Sequence, residues 1–552
     1  MSQRLLLFVA IGLVARAADP AAYRARHLGG SAADVVGALT ATSDGGQLLG
    51  GYTNSFGAGN ADAWAVKLDA LGNIAWQKAI GGAANDTFYA VLETGDGGFL
   101  CAGDSFSADA DGDALVVKFE ADGDLAWQRL YGGDQADSGR ALIATEDGGY
   151  LLSGFSASFG SGSTSDAWVL KLNAGGAIQW QRTYGGGGHD DAYAIAPAPN
   201  GAFVLAGESA SFGDSDGDVW YFKINGEGAL LWQKVIGGSN TDLANAIGAT
   251  SDGGFIIGGQ TGSFGAGDFD AWLIKLNAAG DVVWQKAYGG SREETLTGLT
   301  ALADRGFLFD SGTISFGLSV SDSWIVRVDR NGDVVWQRLY GGGASESAYG
   351  SLELSDGRLI AIGFTGSYGA GGDSILLRLA ANGEIDSSCG TFAEATNATI
   401  TNTNAALANA NAGTGTSSAA GGASNLTLVN TTAAIGAICA SADLADLSGA
   451  FESVTTDGNE IDAVLRLRNV GALASAGFDV EIYFSKRPKL NNKAVRIATE
   501  SVGALNSGAG TRLNLSGTKG KKHKYLLAVI DPEDEISEES EGNNLVVIPL
   551  PR

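Results

Sequence analysis

The tripeptide Trp-Gln-Lys or Trp-Gln-Arg recurs at Trp76, Trp127, Trp180, Trp232, Trp284 and Trp336, at intervals of 51, 53, 52, 52 and 52 residues. A period of this length limits the fold strongly, because each copy must be one supersecondary unit that buries its apolar surface by stacking on the next. A Gly-Gly pair follows each copy, starting at Gly81, Gly132, Gly185, Gly237, Gly289 and Gly341, and Gly29-Gly30 extends the series backwards. The landmarks inside a unit keep a fixed order. An acid follows the diglycine (Asp34, Asp86, Asp137, Asp242, Glu294, Glu346), and then an Asp-Gly turn (Asp44, Asp96, Asp147, Asp252, Asp356), replaced once by Asn200-Gly201. After an apolar run and a loop such as Ser-Phe-Gly comes a further acid: Asp62, Asp113, Asp166, Asp218, Asp270, Asp322 or Asp373. A basic residue stands five positions on, at Lys67, Lys118, Lys171, Lys223, Lys275, Arg327 and Arg378, which makes seven units between His27 and Gly390.

Each unit reads as four short strands. In the fifth they cover residues 243–249, 254–259, 271–276 and 282–288, separated by Asp-Gly-Gly, Ser-Phe-Gly and Ala-Ala-Gly. Such separators supply positive φ or self-bonded turns, and the alternation in Ala-Trp-Leu-Ile-Lys-Leu is that of a strand. The 84 glycines against 7 prolines fit many tight turns between strands. Four strands per unit, seven times over, predict an all-β chain with a seven-bladed β-propeller. An open solenoid is the alternative, and the ends of the array argue against it. Tyr23-Arg-Ala-Arg-His-Leu-Gly-Gly aligns with the Trp-Gln-Lys strand of the other units, whereas the seventh unit ends Glu384-Ile-Asp-Ser-Ser-Cys. The N-terminal strand is therefore expected to complete the last unit and leave no exposed sheet edge.

The units resemble the kelch family and related bacterial propeller repeats. They share the diglycine and an acid or Asn about four positions ahead of a Trp, as in Leu68-Asp69-Ala-Leu-Gly-Asn-Ile-Ala-Trp76. The diglycine sits elsewhere in kelch units, so the resemblance, over residues 23–390, implies the fold and no partner. Beyond residue 390, the segment 391–441 shifts to Ala, Asn, Thr, Ser and Gly and reads as a linker with weak β structure at most. Strand patterns return from residue 442 at 460–467, 478–484, 525–530 and 545–548, and predict an immunoglobulin-like β-sandwich over 442–552. This part resembles the CARDB family, cell-adhesion-related bacterial modules. The match rests on Arg468-Asn-Val-Gly471, Phe478-Asp-Val-Glu-Ile-Tyr-Phe-Ser485 and the acidic stretch from Asp531 to Asn544. The resemblance implies surface or matrix association rather than chemistry.

Residues 1–17 carry Arg4, an apolar run from Leu5 to Ala15 and Ala15-Arg16-Ala17, the three parts of a cleavable secretory signal. That run is too short to span ~30 Å of hydrocarbon, so a secreted or cell-surface location without a membrane span is expected. No cysteine follows the signal, which argues against a lipid anchor. A net charge of −27 excludes nucleic acid as a partner. In an oxidising compartment Cys389 and Cys439, which bracket the 391–441 segment, are the expected disulfide, worth roughly 4 kcal/mol in the chain-entropy model. Cys101, in an apolar strand, is expected to be a small buried residue.

Chemistry-bearing motifs are few. Asp109, Asp111 and Asp113, and likewise Asp214, Asp216 and Asp218, alternate with small residues in the manner of oxygen-rich Ca²⁺ loops. The distal Glu of a full calcium loop is missing, and Ca²⁺ is the single cofactor expected. The Trp residues fall at two positions of the unit, where burial of each is worth roughly 4–6 kcal/mol, so they read as core rather than as a sugar-stacking series. His27, His189 and His523 lie far apart, and no Ser-His-Asp set, zinc pattern or phosphate loop can be assembled, so no catalytic residue is assigned. The reading is a secreted, non-catalytic binding or adhesion protein for a polysaccharide or cell-surface ligand. A glycoside hydrolase or lyase using acids on one propeller face is the second reading, and a purely structural envelope protein the third. Two perturbed acids drawn from unit-variable positions into a pocket would mark the enzyme, and a shallow aromatic or carbonyl-lined surface the binder.

Overall fold

The computed structural model describes residues 25–107, 110–160, 164–317, 320–369 and 371–385, seven short strands within 393–439, and residues 447–457, 460–469, 478–486, 494–502, 510–518, 524–530 and 545–550. Apart from one 3₁₀ turn at Pro199–Gly201, every regular element among these is a strand. No helix among the described residues is long and apolar enough to cross a membrane. The chain divides into two compact units, one within Tyr23–Ile438 and one within Cys439–Arg552.

The first unit holds seven five-stranded open sheets, each built on one repeat. In sheet 1 the strands are Asp34–Ala41, Gln47–Thr53, Asp62–Leu68 and Ile74–Gly81, all antiparallel. The fourth strand of sheet 7 comes from the start of the array. Ala25–Gly29 takes that place beside Asp373–Leu379, with Ala25 opposite Leu377 and Leu28 opposite Ser374, as the two ends of the array had implied. The third strands of sheets 1, 3 and 5 are buried along their whole length and those of the other sheets at all but one residue, because each sheet is covered on both faces. In sheet 1, Trp64, Val66 and Leu68 pack with Leu28, Ile360 and Leu376 of sheet 7. Ala63 and Ala65, pointing the other way, pack with Phe88, Phe99 and Leu115 of sheet 2. A large residue thus faces one neighbour and a small one the other, the interdigitation that close packing requires.

The Trp residues divide into two roles. Those of the third strands, such as Trp64, Trp168 and Trp220, are fully buried. Those of the fourth strands are partly exposed and reach the next sheet, as Trp76 Nε1 donates to the Ala121 carbonyl (3.2 Å) and Trp180 Nε1 to that of Gly226 (3.0 Å). Cys101 is a free, fully buried thiol whose pKa is pushed up by burial.

The fifth strand of each sheet comes from the segment expected to be a linker. Ala393–Ala395, Thr399–Asn402, Ala406–Asn409, Gly413–Gly415, Ala420–Ala423, Thr427–Asn430 and Ala434–Cys439 join sheets 6, 5, 4, 3, 2, 1 and 7 in that order. From Thr399 onward each begins seven residues after the last, and Thr399, Ala406, Gly413, Ala420 and Thr427 face Gly289, Gly237, Gly185, Gly132 and Gly81. Composition misleads here because the outer edge of a fourth strand needs backbone partners, which Ala, Gly, Thr and Asn supply as well as larger residues. Cys439 ends the last of these strands, while Cys389, its expected disulfide partner, lies outside the described residues.

The second unit comprises a three-stranded sheet (Leu447–Asp457, Glu460–Asn469, Gly510–Thr518) and a four-stranded one (Val495–Val502, Phe478–Ser485, Tyr525–Ile530, Leu545–Pro549). Alternate residues Ile461, Ala463, Leu465 and Leu467 meet Val480, Ile482, Phe484, Leu526 and Ile530 in its core.

Two sets of repeat carboxylates titrate in opposite senses. Asp147 and Asp252, in Asp-Gly turns, are held down at about 2 by the hydroxyls of Thr145 and Thr250 and by Lys171 and Lys275. Asp62 and Asp218, heading third strands, are pushed up to about 6 by burial, with Asp86 and Asp242 adding like charge. The first set stabilises above the ordinary value of 3.8 and loses that contribution as pH falls through about 2. The second set favours the fold fully below 3.8 and loses that contribution as pH rises through about 6. The melting temperature is therefore expected to peak near pH 3.8, and the Asp62→Asn/Asp218→Asn protein to decline less than wild type between pH 3.8 and about 6 in calorimetric scans.

Candidate functional site

Every first strand carries a β-bulge at the same place. The register shifts between Val36 and Ala38, Phe88 and Ala90, Gly139 and Ala141, Ala192 and Ala194, Ala244 and Ala246, Leu296 and Gly298, and Ala348 and Gly350. The residue between is left without a cross-strand partner, which is how a bulge re-aims a side chain. These seven residues are Gly37, Tyr89, Arg140, Tyr193, Asn245, Thr297 and Tyr349, and they differ from unit to unit where the flanking positions stay small or apolar.

In sheets 5 and 6 the bulge residue ties one sheet to the next. Asn245 Nδ2 donates to the Leu296 carbonyl (2.7 Å) and Thr297 Oγ1 to that of Ala348 (2.6 Å). Sheets 2 to 4 place charged and aromatic groups there instead. The Arg140 guanidinium lies 4.1 Å from the Tyr89 ring centre and 5.6 Å from that of Phe155, while its Nη2 is 3.6 Å from Asp104 Oδ2. Asp104 Oδ1 accepts from Ser138 Oγ (2.6 Å) and Gly139 N (3.3 Å). Burial raises the Asp104 pKa, against the pull of Arg140.

A second group adjoins it on sheets 3 and 4. His189 Nε2 lies 3.0 Å from Asp191 Oδ2, its Nδ1 lies 2.5 Å from Ser165 Oγ, and the Tyr193 hydroxyl donates to Asp191 Oδ2 (2.6 Å). The hydrogen bond to Asp191 raises the His189 pKa, with burial opposing and Glu208 assisting. Glu208 is itself raised by burial. The positive charge of Arg140 acts on Tyr193, which links the two groups electrostatically.

Sequence reasoning placed no Ser-His-Asp set, and the structure brings Ser165, His189 and Asp191 together. The connectivity is that of a triad, but Ser165 is only 7 % exposed and its Oγ also lies 3.3 Å from Asp191 Oδ1. A nucleophile must be open to substrate, so the arrangement suits holding the His189 ring, which is 45 % exposed, in a fixed orientation at the surface. The available signal was departure from the repeat. Position 189 carries Ala33, Asn85, Ala136, Thr241, Glu293 or Ser345 in the other units, and position 191 carries Val35, Thr87, Ser138, Leu243, Thr295 or Ser347.

The expected calcium loops separate into different roles. Asp218 heads its third strand and accepts from Asp214 N (2.7 Å), as Asp62 does from Ala58 N (3.1 Å), so it belongs to the repeat scaffold together with Asp113. Asp111, Asp214 and Asp216 are exposed, and Asp109 lies outside the described residues. Among the described residues no three His, Cys, Asp or Glu side chains are grouped to hold a metal ion. His523 also lies outside them, and His27 Nδ1 is 3.2 Å from Asp373 Oδ2.

A His189→Asn protein tests this geometry. Because the folded-state pKa of His189 is raised, its contribution to stability is present below the ordinary value of 6.5 and disappears as pH rises through the folded value. The variant should therefore melt below wild type at pH 5.5 and converge on it at pH 9, and parallel melting curves at both would remove the His189–Asp191 pairing.

Residues 441–547 match the CARDB family model and form a CARDB domain, a module associated with adhesion. The match covers only this part of the chain. Among solved structures, the CARDB domain of the PF1109 protein from Pyrococcus furiosus, crystallised with di-metal ions, is 14% identical over 20% of this chain and 96% of that one, with a TM-score of 0.17. Sqt1 from Chaetomium thermophilum is 10% identical over 64% of this chain and 98% of its own, with a TM-score of 0.39. A protein of unknown function from Dyadobacter fermentans is 10% identical over 64% and 97%, with a TM-score of 0.35. No curated protein matches the chain significantly.

Proposed function

We propose that this chain is an exported, non-catalytic adhesion protein whose seven sheets close into a kelch-like, seven-bladed β-propeller that binds a polysaccharide or cell-surface ligand. Closure is supported by the pairing of Ala25–Gly29 with Asp373–Leu379 and by the apolar cluster in which Leu28 and Leu376 meet Val36 and Leu49. The observation that carries the binding reading is the set Tyr89, Arg140 and Tyr193. Three neighbouring bulges aim two phenols and a guanidinium out of an otherwise uniform scaffold, backed by Asp104, Asp191 and Glu208. Aromatic faces with a few fixed polar groups are the chemistry of a polyhydroxylated ligand surface. The CARDB domain serves attachment in this reading, and Ca²⁺ at the loops around Asp111 and Asp216 is an accessory. Calorimetric titration with Ca²⁺ that gives neither heat nor a rise in Tm removes that accessory.

The second reading, a glycoside hydrolase or lyase, draws on Asp104 and Glu208, two unit-variable acids both raised by burial. Incubation of residues 18–552 with a panel of bacterial and plant polysaccharides separates the two. Depletion of protein onto a polymer without new reducing ends, lost in Arg140→Ala and Tyr193→Ala proteins, is the expected result. Reducing ends that grow with time and vanish in Glu208→Gln would establish the enzyme instead.

A further inference from the structure

Two departures from the repeat meet at the opposite ends of the strands from His189, in a groove between sheets 5 and 6. The groove encloses about 510 Å³ and is lined by Asp252, Lys275, Trp284, Arg305, Phe307 and Arg330 among others. Arg305 occupies the turn position that is Gly45, Gly97, Gly148, Gly201, Gly253 or Gly357 in the other units. It holds the glycine conformation, with φ of 72°, and Asn200 is the one other non-glycine residue among those described to do so. A left-handed backbone disfavours an arginine on steric grounds, so the side chain is kept at the expense of the turn. Arg330 stands where the other units have Ala70, Ala121, Ala174, Gly226, Ala278 or Ala381. The corresponding groove between sheets 3 and 4 has Gly201, Gly226 and Glu227 in place of Arg305, Arg330 and Asn331, so the cationic character belongs to one junction and not to the fold.

Acids near the groove are already engaged. Asp252 bonds Lys275 (3.0 Å), Asp304 pairs with Arg327, and Asp329 accepts the backbone amides of Asn331 (2.8 Å) and Asp333 (2.9 Å). Among the described residues neither Arg305 nor Arg330 has a side-chain partner, and both are exposed. Trp284 Nε1 donates to the Arg330 carbonyl (3.1 Å) and its ring lies against Gly332, which fixes the turn that carries Arg330. Phe307 lies 6.2 Å from the Trp284 ring centre, and Val283 on the rim is 59% exposed.

We infer that this groove is a second ligand site, independent of the Arg140 surface, which takes a carboxylate-bearing sugar of the uronic acid class. Each of the two guanidinia offers the N–H fork that a carboxylate accepts. The part-exposed indole of Trp284, backed by the buried Phe307, and the exposed Val283 suit the apolar face of a pyranose, and the volume falls within the range of small-ligand sites. In a chain of net charge −27, a groove with two exposed guanidinia that have no side-chain partner among the described residues favours the docking of an anion.

Isothermal titration of residues 18–552 with trigalacturonate, and with its fully methyl-esterified form, tests the assignment. The acid should bind and the ester, which replaces each carboxylate with an uncharged methyl ester, should bind at least about tenfold more weakly. Arg305→Gly, which restores the residue of the other units, should weaken binding of the acid about tenfold or more while raising Tm by a few degrees. Arg330→Ala should weaken it similarly at unchanged Tm. Because Arg305→Gly gains stability, lost binding in that protein cannot come from misfolding. Absence of binding, equal affinity for acid and ester, or unchanged affinity in both variants would overturn the site, and none of these results bears on the Arg140 surface.

Discussion

Seven buried carboxylates, one at the head of each first strand, hold the repeat together. Asp34 accepts from the amide of Gly30 and the hydroxyls of Thr53 and Ser55, and Asp190 accepts from Gly186, Ser209 and Ser211. Glu294 and Glu346, one methylene longer, bond Gly290 with Thr313 and Gly342 with Thr365. One side chain thereby joins the turn entering the unit to the end of its second strand and the loop beyond. Ionised acceptors with several donors are among the stronger hydrogen-bonding groups. The diglycine follows from the same constraint. An added Cβ on Gly81 would collide with carboxylate oxygens of both Asp62 and Asp86, and at Gly289 with those of Asp270 and Glu294. Burial pushes Asp62 up, and the charge of Asp86 across the same glycine adds to it.

Groups that recur in every unit are consumed by the scaffold, which is why the departures matter. Lys67, Lys118, Lys171 and Lys275 each pair with the Asp of their own Asp-Gly turn. The third-strand indoles are core, and the fourth-strand indoles bridge sheets. The departures from this lattice on which the proposed binding sites rest lie at the bulges of sheets 2 to 4 and in the turns between sheets 5 and 6. A repeat scaffold of this kind separates stability from specificity, because each side chain at a bulge or turn tip can change without altering the hydrogen bonds that hold its sheet.

Much of the fold was legible because it is written in residue types that need burial or positive φ. Trp64 and its counterparts, the diglycines and the Asp-Gly turns each have a reason that composition displays. Four strands of the C-terminal domain were legible for the same reason, from runs such as Phe478–Ser485, but not their order in the sheets. The segment after residue 391 was misread because its strands contribute backbone rather than side chains. Its trace in the sequence is a period of seven, with Ile400, Leu407, Leu428 and Ile435 in phase. The candidate site was harder still. Ser165 and His189 are 24 residues apart and meet only across two sheets, and a bulge adds no residue type by which it could be recognised.

The strands between Ala393 and Cys439 visit the sheets in reverse order, one every seven residues from Thr399 onward, against an array that advances by about 52. Two distant parts of one chain thus keep a common count. A duplicated or deleted repeat would leave the tail with one strand too few or too many, and each strand beyond that point would arrive at the wrong sheet. Gene-level expansion, the usual way such arrays grow, is in this protein tied to a matching change of seven residues far downstream. The tail works as a tally of the repeats it follows.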